Sequence, residues 1–114
     1  MSDPLRVYIA GPYTKGDVAV NVRNAILAGD RVLALGAVPF IPHLTHFWHL
    51  VAPKDYEQWM AIDFEWLKVC QVCWRIPGES AGADREVAHA LQWGSPLVVY
   101  SEGELAALMG RRSP

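Results

Sequence analysis

Apolar runs and helically periodic stretches alternate along the chain. Four short runs rich in β-branched and aromatic residues, each bounded by Gly, Pro or polar positions, predict strands at residues 5–10, 37–41, 69–76 and 96–100. Four stretches with apolar residues every three or four positions predict helices. The first helix is expected between Asp17 and Gly36, and the others at residues 56–68, 84–93 and 102–109.

Residues that favour helix ends support these boundaries. Asp17, Asp55 and Ser101 are expected N-caps, because short polar side chains accept hydrogen bonds from the free amides of a first helical turn. Gly36 and Gly94 are expected C-terminal stops.

The order of the elements predicts the fold class. Strands that alternate with helices form right-handed βαβ units, which build a parallel sheet covered by helices on both faces. We therefore expect an α/β chain of Rossmann-like or flavodoxin-like type, with a sheet of four to five strands in a single domain over residues 1–114. A strand order of 2-1-3-4 would make the first and third strands neighbours, and ligands bind where the carboxyl ends of such strands meet.

Composition and charge narrow the classes of partner. With 52% hydrophobic residues and five Trp in 114 positions, the chain is expected to be globular. The net charge is −2, so the chain lacks the excess of Lys and Arg with which proteins bind the phosphates of a nucleic-acid polymer. No apolar run approaches the roughly 20 residues of a membrane span, and the first residues lack the layout of a signal peptide. We expect no membrane partner and a cytoplasmic protein.

The segment 77–86 joins the third predicted strand to the third predicted helix. Gly78 and Gly82 allow a tight bend and a close approach to a ligand, and Ser80 adds a hydroxyl group. Glu86 is expected in the first turn of the helix, where the helix dipole favours the ionised carboxylate that a nucleophile needs. A dipole or capping role for Glu86 is the structural alternative.

A second carboxylate lies beside an apolar helix face. Asp63 follows Trp59 by four residues and precedes Trp66 by three, so it projects from or next to the apolar face of its helix. A carboxyl group there needs a partner or a function, unless it lies at an edge and reaches water.

Three histidines recur at intervals of three in a Pro-bounded segment that is predicted to be a loop: His43, His46 and His49. Such a trio indicates a metal site only if the imidazoles converge. We favour a segment that faces substrate, because it follows the carboxyl end of a strand, and we expect no metal.

Cys70 and Cys73 form a C-x-x-C pair inside the third predicted strand. Residues three apart on a strand point to opposite faces, and the chain has no second pair to complete a tetrahedral zinc site. We expect two buried structural thiols.

Three ordered motifs carry a family resemblance. They are Val7-Tyr8-Ile9-Ala10-Gly11-Pro12, Asp63-Phe64-Glu65-Trp66-Leu67 and Ser80-x-Gly82-x-x-x-Glu86. Together they resemble the nucleoside 2-deoxyribosyltransferase family, and particularly its relatives the 2′-deoxynucleoside 5′-phosphate N-hydrolases. The resemblance runs from the first predicted strand to the fourth. It implies an enzyme that cleaves an N-glycosidic bond without a cofactor.

The resemblance implies a catalytic role for three residues. Glu86 matches the nucleophile that attacks C1′ of the sugar and forms a glycosyl-enzyme. Asp63 matches the acid that assists departure of the base, and Tyr8 matches the tyrosine that orients the nucleophile. The small-molecule partner is then a nucleoside or a nucleoside 5′-monophosphate.

Substrate contacts are expected from a second group of residues. Ser80 stands where the monophosphate hydrolases carry a serine near the 5′-phosphate and where the deoxyribosyltransferases carry an aspartate. Gly11, His43 and Gly82 are expected to contact the substrate as well. Members of the family form dimers or higher oligomers in which the C-terminal segment of a neighbour completes the pocket. Ser101 is the nearest candidate for that contribution.

Three functions stay open at this point. Hydrolysis of a nucleoside 5′-monophosphate is slightly favoured, because Ser80 in place of a carboxylate suits an anionic phosphate near helix amides. Transfer of the sugar between bases is the first alternative, and a nucleotide-binding module without catalysis is the second.

In the catalytic alternatives, the helix dipole should lower the pKa of Glu86 and apolar neighbours should raise that of Asp63.

Overall fold

A computed structural model describes residues 3–112 of the chain. Within that range the chain forms four strands and five helices, with two consecutive helices between the second and third strands, and a short 3₁₀ turn at Pro42–Thr45 precedes the second helix. The elements in chain order are β1 (Arg6–Ala10), α1 (Val18–Ala34), β2 (Val38–Phe40), α2 (His46–Val51), α3 (Tyr56–Lys68), β3 (Val72–Arg75), α4 (Ala81–Trp93), β4 (Leu97–Val99) and α5 (Glu102–Arg112).

The four strands form one parallel sheet in the order β2-β1-β3-β4. This arrangement confirms the predicted α/β class, and its strand order is the one that makes the first and third strands neighbours. In the register of the central pair, Tyr8 lies opposite Cys73 and Ala10 lies opposite Arg75. The carboxyl ends of β1 and β3 are therefore adjacent, which is the position where open parallel sheets bind ligands.

Side chains of the central strands alternate between two hydrophobic layers, as the twofold period of a strand requires. Val7 and Ile9 pack with residues of α1 and α5 in one layer. Tyr8 and Ala10 pack on the opposite face with residues of α3 and α4. The second layer also contains Cys73. The face that carries Tyr8 is therefore the one that α3 and α4 cover.

Two predicted boundaries are wrong in ways that bear on function. The segment predicted as a loop after β2 contains the 3₁₀ turn and helix α2, since Pro42 is placed at the first helical position, where no amide hydrogen is needed. Helix α4 begins at Ala81, three residues earlier than expected, because the Ser80 side chain accepts a hydrogen bond from the amide of Ala83 and caps the helix.

The two cysteines also differ from expectation. Strand β3 begins only at Val72, so Cys70 precedes the strand instead of lying within it. Both thiols are free and buried, and both belong to the hydrophobic layer that contains Tyr8. The prediction of buried thiols is confirmed, and the prediction that the two sulfurs diverge to opposite faces is wrong.

The predicted N-caps are confirmed. Asp17 accepts from the amide of Val20, and Asp55 forms a reciprocal capping box with Gln58. Ser101 accepts from the amide of Glu104 at the start of α5. This last helix extends to Arg112, beyond the predicted end at residue 109, and residues 113 and 114 of the expected frayed tail lie outside the described range.

Among residues 3–112, no helix combines the length and the apolar character that crossing a membrane requires.

The turn after β3 depends on a glycine. Gly78 has a φ of +121°, and a Cβ atom there would lie 2.5 Å from Cγ of Pro12. Gly36 has a φ of +90° with open space around it, so it provides a matched control. We expect Gly36→Ala to lower the unfolding free energy by about 1 kcal/mol and Gly78→Ala to lower it by about 2 kcal/mol or more, measured by chemical denaturation. Equal losses in the two variants would contradict the close approach of Gly78 to Pro12.

Candidate active site

A cavity of about 480 Å³ opens where the carboxyl ends of β1 and β3 meet helices α3 and α4. Most residues that the sequence nominated as functional line it: Gly11, His43, Asp63, Ser80, Gly82 and Glu86. A volume of this size accommodates a nucleotide-sized molecule. The fold therefore brings together residues that are up to 75 positions apart along the chain.

Glu86 lies at the inner wall of this cavity. Because α4 begins at Ala81, Glu86 is in the second turn of the helix and not in the predicted first turn. Its side chain is only 5% exposed, and one carboxylate oxygen, Oε2, accepts a hydrogen bond from the Tyr8 hydroxyl. That bond leaves Oε1 as the oxygen not engaged by Tyr8. A purely capping role for Glu86 is excluded, since the Ser80 side chain supplies the cap.

Tyr8 is fully buried beneath Glu86 on the central strand β1. Its ring stacks on Phe40 of the neighbouring strand, with 5.6 Å between the ring centroids. Burial, together with the nearby carboxyl group of Glu86, holds the pKa of the Tyr8 phenol well above its usual range. The hydroxyl group therefore keeps its proton at neutral pH and serves as a fixed hydrogen-bond donor to Glu86.

Asp63 enters the cavity from the middle of α3. Burial raises the pKa of its carboxyl group to about 7. Its Oδ1 atom is buried and has no hydrogen-bond partner within the described part of the chain. A carboxyl oxygen in that situation favours the protonated form, because ionisation would leave a desolvated charge without a donor.

The two carboxyl groups do not shift in opposite directions as the sequence predicted. Burial raises the pKa of Glu86 to about 8, and the Tyr8 hydrogen bond and the charge of Arg75 oppose that increase without cancelling it. The expected lowering by the helix dipole is wrong, since Glu86 lies past the first turn and is desolvated. The pKa values are about 7 and about 8, so at a pH between these values the two carboxyl groups share one proton on average.

His43 is buried in the wall of the cavity near the end of β1. Its Nε2 atom lies 2.9 Å from the carbonyl oxygen of Pro12 and 3.3 Å from that of Gly11. Carbonyl oxygens only accept, so the ring carries its proton on Nε2 and donates it to this pair. Burial lowers the pKa of His43, and the ring is therefore neutral at physiological pH. It fixes the loop after β1 to the segment before α2.

The three histidines of the 43–49 segment do not converge. His46 pairs through Nδ1 with the Tyr13 hydroxyl at 2.6 Å. His49 accepts at Nδ1 from the indole N–H of Trp59 at 2.8 Å. Each imidazole is thus engaged by a different partner, and the described residues contain no group of three or more His, Cys, Asp or Glu suited to a metal ion.

Ser80 and Gly82 form the rim of the cavity at the start of α4. Ser80 accepts from the amide of Ala83, which leaves its own hydroxyl proton free to donate to a ligand. A Cβ atom at Gly82 would lie 3.3 Å from the Tyr56 hydroxyl, so the glycine lets α3 and α4 approach closely at the rim. Ser101 is not brought to this cavity, because it caps α5 beyond the end of β4.

Sequence reasoning missed several residues of the cavity wall. The additional lining residues include Tyr13, Lys15, Lys54, Tyr56, Trp59 and Met60. The spacing of Tyr56, Trp59, Met60 and Asp63 is a signal that was available, because residues separated by three, four and seven positions share one helix face. The two lysines carried no such signal, since their loops reach the cavity only through tertiary folding.

Comparison with known proteins places the chain in a family without assigning an activity. No curated protein matches it significantly. A family model described as a domain of unknown function, DUF7768, matches residues 5–100. This match runs from β1 through β4 and includes Tyr8, Asp63 and Glu86. The chain therefore belongs to the DUF7768 family.

Proposed function

We propose that the chain cleaves the N-glycosidic bond of a nucleoside or nucleoside 5′-monophosphate through a covalent intermediate on Glu86. The observation that carries this proposal is the Tyr8–Glu86 hydrogen bond behind the wall of a cavity that Glu86 and Asp63 both line. Two carboxyl groups that face one cavity are the common machinery for cleaving glycosidic bonds. The motif resemblance to nucleoside 2-deoxyribosyltransferases supports the same assignment.

The protonation state of the pair suits this chemistry. One carboxyl group must act as an anion and the other as an acid, and a pair that holds one proton near neutral pH supplies both. Without substrate, the higher pKa of Glu86, about 8 with the Tyr8 bond included, places the shared proton on Glu86 more often than on Asp63. Ionised Glu86 with protonated Asp63 is the minority form that reacts, and the Tyr8 donor and the unpaired Oδ1 of Asp63 both favour it. A developing positive charge on the sugar would further favour ionised Glu86 over ionised Asp63.

The reaction then proceeds in two displacements. The Glu86 carboxylate forms a bond to C1′ while the bond from C1′ to the base nitrogen breaks, and the Asp63 proton passes to the departing base. The Asp63 carboxylate next removes a proton from water, which attacks C1′ and releases Glu86. The sugar leaves with a hydroxyl group at C1′ and with its original configuration retained.

A phosphorylated substrate is favoured by the rim of the cavity. Lys15, Lys54 and the Glu79 carboxylate line it together with the start of α4. Lys15 pairs with Glu79 at 3.5 Å, so Lys54, the Ser80 hydroxyl and the first amides of the helix are the groups that can face an anion. We therefore propose a nucleoside 5′-monophosphate as the preferred substrate and water as the preferred acceptor. Transfer of the sugar to a second base uses the same covalent intermediate and differs only in the acceptor.

A base-release assay tests the proposed function. The purified protein is incubated with deoxynucleosides, ribonucleosides and their 5′-monophosphates, with and without a second free base, and the products are separated by chromatography. Free base from a 5′-monophosphate supports the hydrolase, and exchanged base from an unphosphorylated deoxynucleoside supports the transferase. Absence of both products with every substrate would reject the glycosidic chemistry and favour a nucleotide-binding module.

The pH dependence of turnover follows from the two carboxyl groups. Below about pH 7 both are protonated and the nucleophile is lost, and above about pH 8 both are ionised and the acid is lost. We expect kcat/KM to follow a bell-shaped profile with its maximum between these values, measured by base release across pH 5 to 10. A rate that keeps rising above pH 9 would contradict the role of a protonated carboxyl group.

A further inference from the structure

Arg75 is the last residue of β3, and its side chain is only 11% exposed. The guanidinium group donates to the carbonyl oxygen of Ile76 and, at 2.8 Å, to that of Gly78. It also donates to Oδ1 of Asp84, at 3.1 Å from Nη2 and 3.3 Å from Nε. The planar guanidinium group therefore links the end of β3, the turn that follows it and the first part of α4.

The same residue lies on the face of the sheet that carries the candidate nucleophile. Arg75 is two positions after Cys73, so the two side chains share a face. In the strand register Cys73 lies opposite Tyr8, and Arg75 lies opposite Ala10 one step nearer the carboxyl end. Arg75 thus stands at the end of the sheet face on which Tyr8 and Glu86 meet.

Arg75 bears on Glu86 through its charge. Among the described residues, the groups that act on the Glu86 carboxyl are the neutral hydroxyl of Tyr8, the carboxyl group of Asp63 and the cation of Arg75. The adjacent Cys73 thiol is neutral, because burial raises its pKa to about 12. Arg75 is therefore the cation in this set, and its charge opposes the effect of burial on Glu86.

We propose that Arg75 is a positioning residue for Glu86, whose guanidinium group fixes the turn before α4 and supplies the positive charge that stabilises the Glu86 carboxylate inside the cavity. The contact with Asp84 ties the guanidinium group to the helix that carries Glu86. Residues two apart on a helix do not face each other, so Arg75 acts on Glu86 through the position of the helix and through the charge and not by direct contact. Only the catalytic use of that carboxylate rests on the proposed function. Lysine at this position would keep the positive charge but would lose the set of hydrogen bonds, since an ammonium group cannot make several coplanar hydrogen bonds at once.

The test measures the ionisation of Glu86 directly and needs no substrate. Glutamate is labelled with ¹³C at the side-chain carboxyl, and its chemical shift is followed by NMR between pH 4 and 10. All proteins carry Asp63→Asn, so that Glu86 titrates without a coupled neighbour, and the Glu86→Gln spectrum identifies the signal. The variants added to this background are Arg75→Met, Arg75→Lys, Asp84→Asn and the control Arg31→Met.

The expected shifts differ in sign between variants. Arg75→Met should raise the midpoint of the Glu86 titration by about one pH unit, because it removes a nearby positive charge in a region of low dielectric constant. Asp84→Asn should lower it, since the guanidinium charge is then less compensated. Arg75→Lys should stay near the parent, and Arg31→Met should not move it, because Arg31 pairs with Glu102 on the surface.

The outcomes separate this proposal from the proposed function. A folded Arg75→Met protein that titrates like its parent would overturn the role of Arg75, whatever the activity assay shows. If Arg75→Met does not fold, Arg75→Gln is titrated in its place, and a midpoint like that of its parent overturns the proposal. The expected shifts without any turnover would reject the glycosidic chemistry and leave the assignment of Arg75 standing. Where turnover exists, Arg75→Met should lower kcat more than it changes KM.

Discussion

Replacing Glu86 with Gln is expected to reduce base release by a factor on the order of 10³ or more while the fold is kept. The amide retains the shape of the side chain and can accept from Tyr8, but it cannot form a covalent bond to C1′. The measurement is kcat/KM for the best substrate of the wild-type protein. Glu65→Gln is the matched control, because Glu65 is an exposed carboxylate on α3 that pairs with Lys68 outside the cavity.

The same substitution makes an independent prediction about stability. The folded pKa of Glu86 is raised from 4.5 to about 8, so the folded state keeps a proton that the unfolded state releases. The wild-type protein therefore loses stability from this group as the pH rises from about 4.5 to about 8. Glu86→Gln removes that loss, so its unfolding free energy should exceed that of wild type by more than about 1 kcal/mol at pH 8, and the difference should vanish near pH 4.

These two results together distinguish catalysis from structure. A glutamate that stabilises the folded state as a paired carboxylate would instead give a Gln variant less stable than wild type at neutral pH. A catalytic glutamate held in a desolvated cavity gives lost turnover with equal or greater stability. Turnover that survives in Glu86→Gln would contradict the assignment of the nucleophile.

Replacing Asp63 with Asn is expected to slow release of an ordinary base by about 10² to 10⁴-fold. The amide cannot donate a proton to the departing nitrogen. A 7-methylated purine is already cationic and leaves without protonation, so its release should fall far less in the same variant. The measurement compares kcat/KM for the two substrates in wild type and variant.

The Asp63 variant should also lose the alkaline limb of the pH profile, since that limb reports ionisation of the acid. Asp30→Asn provides the control, because Asp30 is an exposed carboxylate on α1 outside the cavity. An equal loss for the ordinary and the methylated base would show that Asp63 does not act as the acid.

The parts of the fold that depend on local signals could be predicted from the sequence. Asp17, Asp55 and Ser101 cap helices as expected, because a capping hydrogen bond spans only three residues. The parallel sheet followed from the alternation of strands and helices, since right-handed crossovers leave few arrangements, and the observed order is one of them.

The wrong predictions concern segments whose sequence signals are weak and whose structure depends on tertiary contacts. The first turn of α4 consists of small residues, Ala81, Gly82 and Ala83, which have no hydrophobic period and include a poor helix former. The expected start was therefore three residues late, and Glu86 was assigned to the wrong turn. Helix α2 has no buried residue among those described. It therefore lacks the buried apolar face from which an amphipathic helix is predicted in a sequence.

The composition of the candidate site could be anticipated, but its electrostatics could not. Spacing placed Asp63 beside an apolar face and topology placed Glu86 near the end of β3, and both line one cavity. The pKa of Glu86 depends instead on burial, on Tyr8 and on Arg75, which lie at distant positions of the chain. Desolvation is a property of the assembled site, and the helix dipole alone predicted the wrong direction.

Detection of a glycosyl group on Glu86 tests the central claim most directly. The Asp63→Asn variant is mixed with a 7-methylated purine nucleotide, quenched in acid within the first turnover and digested for mass spectrometry. Because this variant lacks the base that activates water, the intermediate should accumulate. We expect the peptide that contains Glu86 to gain the mass of the sugar phosphate. Base release with no added mass on that peptide, or with the mass on another residue, would contradict the account.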